Sequence, residues 1–493
     1  LIDFDINKIE PDTFQHCRNK RIKSFHLANN EESYCDIILT KKHLSLFEPL
    51  KENLIEIRLS NVIFKSTFNF LQHLNQLQKL TLAKCQFKSC SPTFKADENQ
   101  LTYLDLSECN FMINDEAMFD DLKRLKCLKL SENRISTDVL PNLFKHLQQL
   151  ETLEIGFGFE YSLPKLNDRS FIHLTNLSEL KLKFFDINDS TTIFSHLKCL
   201  RKLSLECSQL TRQAFDSASN LQELRLSSVS GIKIDSNFFK KHPQLESLDL
   251  SESNEIDHEI KHNLYGIYDI DETAFSNLKS LKTLIYSQAN SKFEKMLNSL
   301  ENLECLEIGK EAEEDSIAIK LNASTFASIK QLKKLAIAGS QIELDSECFK
   351  NLTHLRELHL SKVIKIQERN CDTWRCLKNL EAFEFDGYKN LANVHRLSEL
   401  VELRKLKLQI HEQDVVSARE MLKSGKRSTN YDLCDYILRN LTKLTHLDLN
   451  DSHLANIYSP TINKKFLRKL TNLTHLNLSN NSIEQIEDDT FDK

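Results

Sequence analysis

Glycine and proline are scarce, at 8 and 7 residues in a chain of 493. With so few glycines there is no Gly-rich phosphate-binding loop, and no Pro-, Gly- or Ser-rich linker divides the chain into separate globular domains. Turns therefore fall largely to Asn, Asp and Ser. A charge excess of one sign is missing as well: 65 Lys and Arg against 71 Asp and Glu leave a net charge of −6. That balance gives no electrostatic case for nucleic acid or an anionic membrane. No apolar run approaches the roughly 20 residues needed to span a bilayer. Cys-x-x-Cys pairs and the nucleophile-elbow sequence are also absent.

What the chain has instead is a recurrence. The pattern Leu-x-x-Leu-x-Leu returns eighteen times, mostly at intervals of 21 to 29 residues, as in Leu77-Leu80-Leu82, Leu101-Leu104-Leu106, Leu200-Leu203-Leu205 and Leu473-Leu476-Leu478. Ile and Phe substitute within the pattern at Ile22-Phe25-Leu27 and Leu380-Phe383-Phe385. Its alternation of apolar and polar residues is that of a short strand with one face buried. A single repeat cannot bury enough apolar surface to fold alone, so the strands must stack as a parallel sheet around one shared core.

These residues resemble the leucine-rich repeat family over nearly the whole chain. Phe recurs six residues before the next strand's first Leu at Phe119, Phe144, Phe171, Phe194, Phe215, Phe239, Phe275, Phe326 and Phe349, with Trp374 there once. This Phe-x-x-Leu-x-x-Leu return path is similar to the typical repeats of animal extracellular proteins such as Toll-like receptors, Slit and chaoptin. The resemblance implies an α/β solenoid: a curved arc with a concave parallel β-sheet and a convex face of loops and short helical turns. Residues 1–493 are expected to form one solenoid of about 18 repeats, with edge insertions near 251–274 and 410–437. Both ends cut through a repeat, at Ile6-x-x-Ile9 and Ile483-x-x-Ile486, which reads as a fragment.

The chain departs from the family at the ninth repeat position, where Asn usually turns inward to bond the backbone of adjacent coils. Asn133 and Asn481 keep it, whereas Cys85, Cys109, Ser208, Ser452 and Val229 replace it, so the ladder is expected to be broken. The 13 cysteines are an odd number without framework spacing, and Cys371 and Cys376 flank Trp374 closely enough for a local bridge. Asn-x-Ser/Thr sequons occur at Asn176, Asn188, Asn322, Asn351, Asn440, Asn450, Asn472 and Asn480. With the Phe-containing repeat type they point to an extracellular or cell-surface location; the alternative is cytoplasmic.

Candidate sites follow from the register. His258-Glu259-Ile260-Lys261-His262 matches a zinc-hydrolase helix, with His258 and His262 as ligands and Glu259 as base, but an edge insertion supplies no third ligand or substrate wall. The simpler reading is a polar loop, with no metal, no cofactor and no catalysis. Positions two, three, five, seven and eight are expected to face the concave side, where formal charges cancel. Glu246, Asp249 and Glu252 make an acidic strand; Arg404, Lys405 and Lys407 make a basic one beside Glu381, Glu384 and Asp386. Mixed charge favours protein recognition over polyanion binding. Phe157 and Phe184 share the eighth position in consecutive repeats and are candidate interface anchors, unless Gly156 and Gly158 let Phe157 turn inward. The expected function is noncatalytic recognition of a protein or other extracellular ligand by the concave face or the insertions. There is no nucleic acid and no membrane contact in this reading, and dimerisation is left open. An intracellular scaffold or ubiquitin-ligase substrate adaptor is the alternative, and a zinc hydrolase a remote one.

Overall fold

A computed structural model describes residues 13–17, 21–28, 37–67, 69–72, 74–88, 91–96, 98–157, 163–206, 208–229, 232–251, 269–287, 292–309, 319–338, 342–345, 347–361, 365–367, 373–386, 394–409, 438–452, 461–462 and 467–491. By internal contacts the chain forms two units, Leu1–Lys233 with Glu252–Asp269, and Ile234–Ser251 with Ile270–Lys493. Each is a parallel β-solenoid.

In the first unit the exposed sheet is built from β1 (Ser24–Ala28), β2 (Glu56–Ser60), β3 (Lys79–Thr81), β4 (Tyr103–Asp105), β5 (Cys127–Leu130), β6 (Thr152–Gly156), β7 (Glu179–Lys183), β8 (Lys202–Glu206) and β9 (Glu223–Ser227). In the second it comprises β10 (Ser247–Leu250), β11 (Thr283–Tyr286), β12 (Cys305–Ile308), β13 (Lys334–Ala338), β14 (Glu357–Ser361), β15 (Ala382–Asp386), β16 (Lys405–Gln409), β17 (His446–Asp448) and β18 (His475–Asn477). Neighbours pair in parallel and in repeat register, so Leu153 lies beside Leu128 and Leu180, and Leu358 beside Leu335 and Phe383. A one-residue slip would turn every leucine to water, and the shared apolar phase forbids it.

The reason for the strands is visible in their burial. On β7 the sequence Glu-Leu-Lys-Leu-Lys buries only Leu180 and Leu182, and β14 repeats this with Leu358 and Leu360. The expected aromatic return path is also formed: Phe119, Phe144, Phe171, Phe194, Phe215, Phe239, Phe275, Phe326, Phe349 and Trp374 are all buried. Rings of successive coils meet at 5.9 Å for Phe94 and Phe119, and 6.2 Å for Phe349 and Trp374. Short second strands follow the first in many coils, such as Ile63–Phe64, Met112–Ile113 and Ile342–Asp345, and pair in parallel on their own account. Among the described residues α-helix is confined to short turns, including Leu140–Leu143, Arg212–Asp216 and Phe293–Leu297, and a longer 3-10 helix spans Lys41–Leu50. The described end of the first expected insertion, residues 269–274, is ordinary coil, with Ile270 and Ala274 buried.

The ninth-position ladder is broken, as the sequence implies, but several described coils keep its bonds, some of them without Asn. Asn133 donates to the carbonyls of Leu106 at 2.7 Å and Leu130 at 3.1 Å, and Asn481 to those of Leu449 and Leu478. Where Asn is missing, other donors reach the same carbonyls: Cys85 Sγ to Leu59, Cys109 Sγ to Leu82 and Ser452 Oγ to Leu408. A thiol or hydroxyl supplies one donor where the amide supplies two, which suffices for a single carbonyl. Burial pushes the Cys109 thiol up to about 12, so it stays protonated as a donor. At the same position the side chains of Val62, Phe185 and Val229 have nothing to donate, and Ser208 Oγ donates to Glu206 O within its own coil. Asn30, Ser253, Ser340, Val363 and Tyr388, which stand at the ninth position of other repeats, lie outside the described residues.

Asn133→Ala is expected to destabilise the first unit by about 3 kcal/mol, because it strands buried carbonyls without opening water access to them. Native-state hydrogen exchange of the amides around β4 and β5 checks this, and protection unchanged from wild type would refute it.

Candidate functional site

A recess of about 630 Å³ lies on the exposed sheet face of the second unit, formed by β14 to β18. Its rim residues occupy two adjacent rows of the register. One row carries Ala382, Lys405, His446 and His475, and the next carries His359, Glu384, Lys407, Asp448 and Asn477. Alternation puts all of these on the water side while Phe383, Leu406 and Leu447 go to the core.

Glu384 is the electrostatic centre. His359 Nδ1 lies 2.9 Å from its Oε2, and Lys407 donates to its Oε1. Partial burial works to raise the carboxyl, but the hydrogen bonds from Lys407 and His359 outweigh it and hold Glu384 below the usual carboxylate range. The same partnership raises Lys407. Glu384 therefore stays ionised and supports the site electrostatically at any pH above its unfolded value.

The other end of the recess holds two stacked imidazoles. His446 and His475 face each other across β17 and β18 with centroids 4.1 Å apart and planes inclined by 6°. Their tautomers follow from the surrounding bonds. Thr445 Oγ1 gives its only proton to the Arg404 carbonyl at 3.0 Å, so at 2.9 Å from His446 Nδ1 it can only accept. Thr474 Oγ1 likewise donates to the Thr445 carbonyl at 3.0 Å and contacts His475 Nδ1 at 2.9 Å. Both rings thus carry hydrogen on Nδ1 and present bare Nε2 lone pairs. Desolvation first, then His475 and Lys405, lower the His446 pKa.

Of the residues singled out in the sequence, Glu384, Lys405 and Lys407 come together here, with Arg404 one residue before β16. Glu246 and Asp249 belong to β10 and its approach: Glu246 pairs with Lys282 at 2.8 Å, and Asp249 accepts from the Ser251 amide. Glu252, His258 and His262 lie outside the described residues, as do the 410–437 insertion, Gly158, Cys207 and Cys371. Among the described residues no group of three or more His, Cys, Asp or Glu is placed to hold a metal ion.

The expectation of exposed aromatic anchors is corrected. Phe157 and Phe184 are 7% and 4% exposed. The eighth repeat position is where the chain leaves the strand, and it sits at positive φ in coil after coil: Asn61, Lys84, Glu108, Glu132, Phe184, Ser228, Asp451 and Asn480. That left-handed turn takes the side chain off the pleated face. Phe157 packs edge-on against Phe185 at 5.3 Å, so the inward alternative holds for it.

The sequon residues divide. Asn176 and Asn472 stand immediately before a strand's first Leu and donate to the preceding coil's carbonyls, Gln148 and Thr442, as do Asn220, Asn302 and Asn379. Asn351 donates to Ala323 in the same manner. Asn322 accepts from Ser324, Asn188 donates to Gln209, and the Asn450 amide donates to Asp448. Asn440 and Asn480 are exposed.

Family models for leucine-rich repeats match this chain: a BspA-type leucine-rich repeat region, in six copies, covers residues 137–265 and 259–371, and a leucine-rich repeat model covers 472–493. The chain is a leucine-rich repeat protein. Its fold is similar to that of TLR13 in a TLR13–ssRNA13 complex, with a TM-score of 0.62 and 20% identity over 93% of this chain; the match spans 64% of the TLR13 chain. It is also similar to a leucine-rich repeat protein of Leptospira interrogans, with a TM-score of 0.52 and 18% identity over 90% of this chain and 100% of that one. No curated protein matches this leucine-rich repeat chain in sequence.

In an NMR titration His446 is expected to titrate below the ordinary histidine value, and His475→Gln should move it upward. The sign for stability follows: a folded value below the unfolded one means that this contribution is present above about pH 6.5 and is lost as pH falls. An unmoved His446 in the variant would show that the stacked neighbour has no electrostatic effect.

Proposed function

We propose that this leucine-rich repeat protein is a noncatalytic recognition module whose recess on β14 to β18 binds a protein partner. The observation that carries this reading is the concentration of complementary charges, imidazoles and a concave surface within five adjacent strands. Charges of both signs at fixed register give specificity for a partner with its own mixed pattern. The remaining sheet face is largely closed by ion pairs between neighbouring strands, such as Lys334 with Glu307 and Lys202 with Glu223.

A photo-crosslinking side chain at Asn477 should capture a protein that a probe at exposed Lys126 does not. Lys407→Glu, which sets two carboxylates side by side, should weaken binding of that captured protein by about tenfold while the fold is kept. Equal capture at both positions, or affinity unaffected by the charge reversal, would remove the reading.

Our reading of location is secretion or the cell surface, supported by the sequons and by the Phe-bearing repeats that resemble those of animal extracellular proteins. Among the described residues no helix is long and apolar enough to cross a membrane. Protein from its native source should carry N-linked sugar at exposed Asn440 and Asn480, detected as a mass loss on enzymatic deglycosylation. Bare asparagines at both would favour the intracellular scaffold.

A further inference from the structure

The threonine–histidine relay fixes where a proton must go. Both Nδ1–H groups are committed to Thr445 and Thr474, and each threonine hydroxyl is committed in turn to a backbone carbonyl. An added proton therefore lands on Nε2, the nitrogen outside the relay. Each protonation converts an acceptor into a charged donor without disturbing the relay behind it.

The consequence is set by the neighbours. Lys405 on β16 shares the row of His446 and His475, with Arg404 just before it. On the adjacent row Lys407 is paired with Glu384, and Asp448 lies on β17 itself with one oxygen capping the Asn450 amide. Farther along stand Asp386 on β15 and His359 and Glu357 on β14, whose charges bear on the far end of the recess. With neutral histidines the rim's two lysines balance Glu384 and Asp448. Protonating the stacked pair adds two positive charges beside Lys405, giving three cations on successive strands.

We propose that the β16 to β18 end of the recess is an acid-gated carboxylate site, in which His446, His475 and Lys405 together hold an acidic segment of a protein partner. The inference rests on the reading of the recess as a protein-recognition surface and adds the partner's chemistry and its release condition. Two like charges one ring spacing apart repel, and a carboxylate bridging them relieves that repulsion, so ligand binding and proton uptake reinforce each other. Desolvation and the neighbouring Lys405 keep His446 neutral at neutral pH, which places the switch on the acid side of the usual histidine value. Discrete carboxylates fit this end better than a continuous phosphate chain, because the carboxylates of Glu384 and Asp448 lie one row away.

The test uses the whole chain and a fluorescent octa-aspartate peptide. At fixed ionic strength, binding should be at least about tenfold tighter near about pH 5.5 than near about pH 7.5, with net proton uptake on binding measured by calorimetry in buffers of different ionisation enthalpy. The double variant His446→Gln, His475→Gln should lose both the pH dependence and the proton uptake with unchanged circular dichroism. Equal affinity at the two pH values, or pH dependence that survives the double variant, would overturn the proposal. So would displacement of the peptide more readily by a single-stranded oligonucleotide of equal charge than by unlabelled peptide, which would mark a polyanion surface. A partner still captured at Asn477, with a pH-indifferent peptide, would leave the recognition reading intact and end this one alone.

Discussion

Each coil is joined to the next by one overworked carbonyl. The residue at the second repeat position accepts two backbone N–H groups from the following coil: Gln78 O takes Thr102 and Tyr103, Lys126 O takes Glu151 and Thr152, and Arg356 O takes Glu381 and Ala382. This fork recurs within each unit and sets the register before any side chain is considered. Leucine stacking, the phase of the exposed rows and the alignment of His446 with His475 all follow from it, because translation by one coil superimposes equivalent residues. A solenoid is stable only when every such junction is made, since each coil alone has too little core to order its backbone.

Where the strand ends, the same demand is met by different chemistry. The chain turns through positive φ at the eighth position with hardly a glycine to ease it, at a cost of about 1 kcal/mol or more for an ordinary side chain. The ninth residue then reaches inward. Asn133, Cys109 and Ser452 differ in size and polarity, yet each delivers a donor to a carbonyl of the preceding coil. The tolerance is for the donor, not for the residue, and it explains how buried thiols come to occupy what is a polar ladder. Asn176, Asn220, Asn302, Asn379 and Asn472 form a comparable set at the strand entrance. Asparagines that read as modification signals in the sequence therefore also serve as junctions between coils.

The strands, their parallel order and the aromatic return path were legible in the sequence because period and spacing encode them directly. The mixed charge of Glu384, Lys405 and Lys407 was legible for the same reason: in-phase positions on neighbouring repeats become neighbours in space. Phe184 was misplaced because the alternation of a strand was extended one residue too far, into a left-handed turn, whereas Phe157 takes the inward course that its flanking glycines had left open. The histidine pair was overlooked although its signal was present, in the Thr-His-Leu of Leu444–Leu447 and again in that of Leu473–Leu476. Seen as single residues these are scattered polar positions; in register they are one stack. His359 had no such signal, since its role comes from Glu384 on the next strand.

The recess differs from the rest of the sheet in what its ion pairs leave over. Elsewhere a lysine and a glutamate on adjacent strands close on each other, and exposed pairs of that kind contribute little stability, about 0–1 kcal/mol, and little directional field. In β14 to β18 Glu384 absorbs both His359 and Lys407, leaving Lys405 on its row beside two imidazoles rather than beside a carboxylate. Histidines there can raise the positive charge of that row without a change of backbone, because the threonine relay keeps the rings in place while only Nε2 changes state. A rigid ladder of backbone bonds is what allows this, since ring spacing is inherited from strand spacing and cannot relax when charge appears. The constraint that builds the fold therefore also makes proton occupancy on this face visible to whatever binds it.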